Sequence, residues 1–249
     1  MIFQSIKIYF FLLLIVLTAS CQVTETISIN ADGSGKIEVV KHREENSYMK
    51  LTGENYSKET VFKDTSYVFS DYISKYNDNF VKYTKSEQEL FNTYNNVNVH
   101  IKKSAFEKEF RTVISQSFKK IDEVPDLYKT ENYADDIKYN YALSAEEHEY
   151  WVSYAFDGTL FKRTVKITDA ALLKKKFEEI EELKKRFSKF DLVQTYMLNY
   201  HFPRKIKSVS NADAKISDDR KSLKLQFLLT DCLQNPEITN LEVILENNI

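Results

Sequence analysis

The sequence predicts an α+β protein, in which an antiparallel sheet with several hairpins is packed by one long helix, about residues 169–187, and by short helices. Three observations predict it. The chain has 16 tyrosines and 17 phenylalanines, and aromatic and β-branched residues favour pleated sheet. Several stretches alternate apolar and polar side chains between turn residues, which is the pattern of hairpins. Only one long stretch has the spacing of an amphipathic helix.

The segment before this fold, residues 1–20, has the composition of a secretory leader. Lys7 supplies a positive charge, residues 8–17 form an unbroken apolar run of ten, and small residues fill 18–20 before Cys21. A helix of that length spans roughly 15 Å, about half of the hydrocarbon core of a bilayer. We therefore predict a cleaved signal peptide rather than a membrane-spanning helix.

The residues that end at Cys21 resemble the lipobox of bacterial lipoproteins, with Thr18 at a place where that motif prefers leucine. The resemblance implies that Cys21 is the lipidation site and carries a diacylglyceryl thioether and an N-acyl chain such as palmitate. Two or three acyl chains hold a protein on a membrane that it does not span. The alternative is an ordinary secretory signal, which would leave Cys21 as a thiol near the mature N-terminus.

The charge balance of the mature chain argues against a nucleic-acid surface. The whole chain has 35 basic and 37 acidic side chains, and residues 1–20 hold one lysine and no acids, which leaves 34 against 37 and a net charge near −3. Binding nucleic acid needs a basic excess that displaces counterions. The two cysteines, Cys21 and Cys232, exclude a disulfide framework once Cys21 carries lipid, and Cys232 is predicted to be a small buried hydrophobe.

The first predicted hairpin begins directly after Cys21. Residues 23–30 alternate and place Val23, Glu25, Ile27 and Ile29 on one face, residues 31–35 (ADGSG) tolerate positive φ, and 36–40 resume a strand. The D-x-G-S-G loop lacks the further acids of a calcium loop and the Gly-Lys-Ser/Thr of a phosphate loop, so we interpret it as a turn. Because almost no spacer separates Cys21 from this strand, the domain is expected to lie close to the membrane.

The remaining elements follow from the same patterns. The predicted strands are 61–69, 96–103, 109–116, 139–143, 149–155, 159–165, 191–202, 204–209, 214–217, 222–229 and 241–245. The predicted helices are 70–76, 84–94 and 170–187, with a turn or helical piece at 230–235. The predicted irregular segments are 42–59 and 117–128, each a loop or a helix, and 126–136, a flexible excursion. We predict a type I′ turn at Asp157 and Gly158, and we expect the Trp151 ring to pack against a helix.

The long helix has a clear beginning and one apolar stripe. Thr168 or Asp169 is predicted to cap it. The stripe consists of Leu173, Phe177, Ile180 and Phe187, and the charged residues between them are expected to face water. We predict a single domain over residues 21–249, with a subdivision near 166–190 left open.

The sequence contains no catalytic or metal-binding signature that we can assign, so no catalytic residue, metal or cofactor is predicted. Its four histidines, His42, His100, His148 and His201, are scattered. The acids around His148, in the stretch EEHE at 146–149, have poor spacing for one metal ion and are interpreted as a solvated loop. His100 is expected on an exposed strand face. Paired carboxylates of a glycosidase need not be close in sequence and stay open.

Both ends of the mature chain resemble uncharacterised lipoproteins of Bacteroidota. These begin with a lipidated cysteine followed by an I-x-x-D-G-S-G strand and turn, as in residues 27–35 here. They end with a P-x-x-I-x-x-V-S-N strand and an S-x-D-x-K-S hairpin, similar to residues 201–211 and 216–223. More distantly the chain is similar to LppM-type envelope lipoproteins. The resemblance implies no catalytic residues.

We therefore predict a membrane-anchored lipoprotein of the cell envelope that is a non-enzymatic binding or scaffold protein. The alternative is a hydrolase or transferase acting on an envelope polymer. The expected location is the outer membrane facing the periplasm, because residues 22–24 lack an acidic run, with exposure at the cell surface left open. The expected partners are the membrane, through the lipid on Cys21, and an unknown envelope protein or polymer.

Overall fold

The computed structural model describes residues 21–140, 148–190 and 192–247, apart from the side chains of Leu183 and Phe187. Its strands are β1 Cys21–Ile29, β2 Gly35–Arg43, β3 Phe62–Val68, β4 Asn98–Ser104, β5 Glu109–Phe118, β6 Tyr150–Phe156, β7 Leu160–Ile167, β8 Thr195–His201, β9 Ile206–Val209, β10 Lys215–Ile216, β11 Ser222–Leu228 and β12 Leu241–Leu245. Its α-helices are α1 Glu45–Thr52, α2 Phe69–Lys75, α3 Asn77–Phe80, α4 Lys85–Asn92, α5 Thr130–Tyr139, α6 Ala170–Phe187 and α7 Leu229–Gln234. The α+β class is confirmed.

The strands form two sheets, which we call sheet A and sheet B. Sheet A has eight strands in the order β10-β11-β8-β1-β2-β5-β4-β3, and sheet B has four in the order β6-β7-β12-β9. All neighbouring pairs are antiparallel except β1 and β8, which run parallel. Along β1 the buried side chains alternate with more exposed polar ones, because successive side chains of a strand point to opposite faces. Sheet A therefore has one apolar face, and sheet B packs on it.

The predicted hairpins are present, with one correction to a turn. β1 pairs with β2 through the 31–34 turn, and β6 pairs with β7. Asp157 to Thr159 separate the strands of the second hairpin, and of the described non-glycine residues only Lys108, Asn140 and Arg220 have positive φ. A type I′ turn needs positive φ at both central residues, so the predicted type I′ turn at Asp157 and Gly158 is wrong. The connection is one residue longer, and only Gly158 has a positive φ, of 92°.

Two segments predicted as irregular contain helices. Residues 42–59 hold the end of β2, helix α1 and a 3-10 turn. The predicted excursion at 126–136 is a 3-10 turn followed by α5, whose Tyr133, Ala134 and Ile137 are buried. Most residues of this helix are polar, but it has a short apolar stripe that packs against Tyr94. The ring centres of Tyr94 and Tyr133 are 5.1 Å apart. The predicted strand 139–143 is wrong at residues 139 and 140, which end this helix, and 141–143 lie outside the described residues.

The long helix has the predicted bounds but does not supply the core. The Asp169 carboxylate caps it by accepting the Leu172 N–H at 2.8 Å. Leu173 and Ile180 are only half-buried, and Phe177 is 44% exposed; the fourth predicted stripe residue, 187, lies outside the described side chains. Sheet B and α5 cover the apolar face of sheet A instead. Trp151 does face a helix, since its ring centre lies 6.5 Å from that of Tyr133 in α5.

The core joins the two sheets through aromatic contacts. The ring of Phe161 in β7 lies 5.2 Å from that of Tyr200 in β8 and 5.4 Å from that of Phe202. Cys232 in α7 is 4% exposed, as predicted for a small buried hydrophobe. No helix among the described residues is both long and apolar enough to cross a membrane.

Candidate functional site

Cys21, the predicted lipidation site, is the first residue of β1. It is paired with Arg43 of β2, so the hairpin begins at the cysteine itself, without a spacer. Its side chain is half-buried, and burial raises the pKa of the thiol. Whatever is attached to this sulfur therefore leaves the domain directly from one end of sheet A.

A buried ion pair lies between the two sheets. Glu25 of β1 is 0% exposed and Arg163 of β7 is 2% exposed. The Arg163 guanidinium donates from Nε to Glu25 Oε1 at 3.1 Å and from Nη2 to Oε2 at 3.2 Å. The hydroxyls of Tyr128 and Tyr200 donate to the same carboxylate at 2.6 Å and 2.5 Å. Arg163 also donates to Thr239 Oγ1 at 2.6 Å.

This network is saturated and closed to solvent. Burial by itself would raise the pKa of Glu25, but the charge and hydrogen bonds of Arg163 hold that pKa below its ordinary value. Burial would lower the pKa of Arg163, but the negative charge of Glu25 raises it above its ordinary value. Because both groups stay charged and neither can reach a ligand, the pair joins the sheets and is not a site of chemistry.

The sequence contained a signal for this pair. Glu25 stands on the predicted face of the first strand that otherwise carries Val23, Ile27 and Ile29. A carboxylate on an apolar face needs a buried partner, and the partner lies 138 residues away in the chain. The sequence pattern does not identify which cation that is.

One end of the molecule carries a concave surface, which we call the loop-tip cleft. It encloses about 650 Å³ and is lined by residues 31–33, 119–122, 156–158 and 203–204. The tips of the two hairpins predicted most clearly from the sequence, at 31–35 and 157–158, thus meet on the same cleft. Asp122 joins the two sides by accepting the Phe156 N–H at 3.1 Å.

Two further carboxylates of the cleft are used by their own turns. Asp32 Oδ1 accepts from the N–H and the hydroxyl of Ser34, at 3.0 Å and 2.6 Å. Asp157 Oδ1 accepts from the N–H groups of Thr159 and Leu160, at 2.8 Å and 2.7 Å. These hydrogen bonds lower the pKa of both aspartates. The D-x-G-S-G loop is therefore a turn, as interpreted from the sequence.

The cations of the cleft are less engaged than its acids. Lys119 and Lys120 are exposed, and neither has a carboxylate within ion-pair distance among the residues that the structure describes. Arg204 donates from Nη1 to the backbone oxygen of Glu246 at 3.0 Å, and its Nη2 lies beside Gly158. The cleft thus offers cationic donors with unused capacity next to the partly buried ring of Phe156.

The cleft and Cys21 lie at opposite ends of the domain. β1 has nine residues between Cys21 and Ile29, and the cleft begins two residues later, at Ala31. At about 3.3 Å per residue, the strand separates the two by about 30 Å.

A second polar cluster surrounds Lys129 and is buried. Lys129 is 5% exposed, and its Nζ lies 4.9 Å from the Tyr150 ring centre. Burial lowers the pKa of Lys129 and raises that of the neighbouring Asp126. Burial, aided by the Lys129 charge, also lowers the pKa of His148 to about 4. In the sequence, His148 directly follows residues 141–147, which lie outside the described part of the chain.

The predicted solvated loop at 146–149 is wrong for its described half. His148 and Glu149 are each 7% exposed. The His148 ring packs against those of Trp151 and Tyr133, and Glu149 accepts from Lys176 Nζ at 2.7 Å. Residues 146 and 147 are outside the described part. His100 is half-exposed and bonded to Asp64 at 2.9 Å. Within the described residues, no three histidine, cysteine or acidic side chains are grouped to hold a metal ion.

Comparisons with known proteins add one distant structural likeness. No protein-family model matches the chain, and no curated protein matches its sequence. The fold is similar to the NMR structure of the folded domain of the Mycobacterium tuberculosis LppM protein. The TM-score is 0.41 at 10% identity, over 92% of this chain and 91% of that one. A likeness at this level supports no statement about ligand or activity.

Proposed function

We propose that this chain is a lipid-anchored protein of the bacterial cell envelope that binds a partner without catalysing a reaction. Residues 1–20 act as its signal peptide and Cys21 carries the acyl chains, on the outer membrane facing the periplasm. The observation that supports the proposal best is the position of the loop-tip cleft, at the far end of β1 from Cys21. A domain fixed to the membrane at one end presents this cleft about 30 Å away from the bilayer.

The anchor is tested by replacing the cysteine. Cys21→Ser is expected to release the protein from membranes and to abolish incorporation of radiolabelled palmitate, because position 21 then has no thiol to form the thioether. Cys232→Ser is the matched control and should stay membrane-bound, since that side chain is buried in α7. Palmitate entering the Cys21→Ser variant would refute the assignment of the lipid to this residue.

The chemistry of the cleft favours a ligand with an anionic group. The carboxylates of Asp32 and Asp157 each accept two hydrogen bonds on Oδ1 from their own turns, so both have a role in holding the turn. Lys119 and Lys120 have ammonium donors that no described carboxylate occupies. An acidic segment of an envelope polymer or protein fits this distribution of donors.

The alternative is a hydrolase or transferase that acts on an envelope polymer, and the three aspartates of the cleft are what favours it. A general acid needs a pKa raised toward neutral pH. The turn hydrogen bonds lower the pKa of Asp32 and Asp157, which suits a stable carboxylate rather than a proton donor. The Asp122 carboxylate accepts a hydrogen bond from the Phe156 N–H in β6. These roles make binding the better supported function.

The binding proposal is tested by capture from solubilised envelopes with the full lipidated protein. Lys119→Glu combined with Lys120→Glu replaces the two lysine cations of the cleft by carboxylates. Lys174→Glu combined with Lys175→Glu is the control, an adjacent pair of exposed lysines on α6. Material that wild type and control retain and the cleft variant loses is the expected ligand. Identical capture by all three proteins would contradict binding at the cleft. Turnover of a captured polymer would favour the enzyme.

A further inference from the structure

Exposed apolar side chains gather at the end of sheet A where Cys21 lies. Val61 is 48% exposed, Phe62 is 72% exposed and Phe106 is 96% exposed; we call these three residues the apolar tip. Phe106 lies in the turn between β4 and β5, Phe62 is the first residue of β3, and Val61 directly precedes it. Further exposed apolar residues at this end are Met49 in α1, Val193 before β8 and Leu228 at the end of β11.

The strand register places the tip further out than Cys21. Gln22 pairs with His42, which pairs with Arg111, so Arg111 of β5 is level with the second residue of β1. Glu109 is two residues further toward the same end and pairs with Ser104, which pairs with Phe62. Two residues correspond to about 7 Å of strand. Phe62 is thus about one residue beyond the level of Cys21, and the turn that holds Phe106 extends past both.

The tip is a fixed structure. The Ala105 N–H donates to the Val61 backbone oxygen at 2.8 Å, which joins the two segments. The Glu107 N–H donates to Ser104 Oγ at 3.1 Å. The chain therefore holds these apolar side chains outward, where an aqueous surface gives them no partner. Contiguous exposed apolar groups of this kind mark an interaction surface.

The position of the anchor decides what this surface meets. Cys21 begins a paired strand, so acyl chains on its sulfur enter the membrane directly at this end of sheet A. In the strand order β1-β2-β5-β4, the turn with Phe106 is two to three strands away, or about 10–14 Å. A bilayer that receives the acyl chains is thus within reach of the tip. Phenylalanine side chains bind readily at the apolar boundary of a membrane.

We propose that the apolar tip inserts into the surface of the bilayer in which Cys21 is anchored, a proposal that rests on the lipid anchor proposed above. Insertion gives the domain a second point of attachment. It fixes the orientation of sheet A, with β1 pointing away from the membrane and the loop-tip cleft held toward the opposite side. The occupant of this surface is lipid rather than a second copy of the chain.

The test uses the full lipidated protein with Phe106→Trp in vesicles of phosphatidylethanolamine and phosphatidylglycerol that contain brominated acyl chains. The natural Trp151, which packs against Tyr133, supplies the background in the parent protein. Ile216→Trp is the matched control: it is 42% exposed, and the register through Leu223 and Tyr200 makes it level with Ile27. Ile216 is therefore six residues, or about 20 Å, from the level of Cys21.

The tryptophan at 106 is expected to lose fluorescence and shift to the blue in brominated vesicles, while the Ile216→Trp variant keeps the parent signal. Flotation with the vesicles reports the anchor separately. Flotation without quenching at 106 overturns insertion of the tip and leaves the anchor standing. A blue shift without quenching has the same consequence, because position 106 would then be buried between two copies. Failure to float overturns both proposals. Phe106 is almost fully exposed, so its replacement removes almost no folding contact.

Discussion

Replacing Glu25 by glutamine removes the charge that compensates Arg163 between the sheets. Arg163 keeps its bonds to Thr239 and Tyr196 but faces an amide where it had a carboxylate. Removing one partner of a buried ion pair costs about 3–5 kcal/mol, because the other charge stays buried without compensation. In a domain of this size each kcal/mol lowers the melting temperature by about 2–4 °C, so a decrease of roughly 10 °C is expected.

A matched exposed pair isolates the effect of burial. Lys162, the neighbour of Arg163 in β7, bonds Glu242 at 2.6 Å, with side chains 44% and 53% exposed. Glu242→Gln is expected to cost less than about 1 kcal/mol, since water screens the charges. The assay is urea denaturation of the mature chain with Cys21→Ser in every variant. Equal losses from Glu25→Gln and Glu242→Gln would refute the reasoning.

The pH dependence of the same variant provides a second check. The folded-state pKa of Glu25 is lowered from its ordinary value of 4.5, so the stabilisation is present above that value and is lost as the pH falls through the folded pKa. The difference in unfolding free energy between wild type and Glu25→Gln should therefore shrink in acid. Replacing both Glu25 and Arg163 by methionine should recover much of the loss, because no uncompensated charge remains.

Two further predictions concern His148 and the first hairpin. Burial lowers the pKa of His148 from 6.5 to about 4, so the unfolding free energy should fall as the pH drops from about 6.5 toward 4. His148→Asn should flatten this dependence, measured by urea titration at about pH 7.5 and pH 5. An unchanged pH dependence in the variant would contradict the prediction. A Cβ on Gly35 would lie 2.0 Å from the Ser28 backbone oxygen, so Gly35→Ala should cost about 2–3 kcal/mol. A Cβ on Gly33 has open space around it, but the residue has a φ of 83°, so Gly33→Ala should cost about 1 kcal/mol. Equal thermal shifts for the two variants would contradict the close approach of Gly35 to Ser28.

Local patterns predicted the elements whose physics is local. The 31–35 turn, the strands on either side of it and the start of α6 at Asp169 depend on neighbouring residues alone: φ preference, alternation and a side-chain cap. The type I′ turn was wrong because Asp157 caps a longer connection with its carboxylate. Helix α5 was missed because its three buried apolar residues stand among acids and amides, and its stability comes from packing against Tyr94.

The sequence predicted separate segments of the candidate site but not that they lie together. The two hairpin tips were both identified, yet nothing in either stretch shows that they line one cleft. The buried face of β1 was predicted together with Glu25, whereas the partner Arg163 was not. In each case the missing information is a contact between residues far apart in the chain.

By itself the sequence determined the α+β class and most strand positions, because side-chain period and turn chemistry are properties of short stretches. Lipidation of Cys21 stays a prediction from the leader motif. Only the tertiary structure decided that β1 lies parallel to β8, that Glu25 meets Arg163, and that the cleft and the apolar tip lie at opposite ends of sheet A. Alternation specifies which face of a strand is buried. Which strand lies beside it depends on the packing of the whole core.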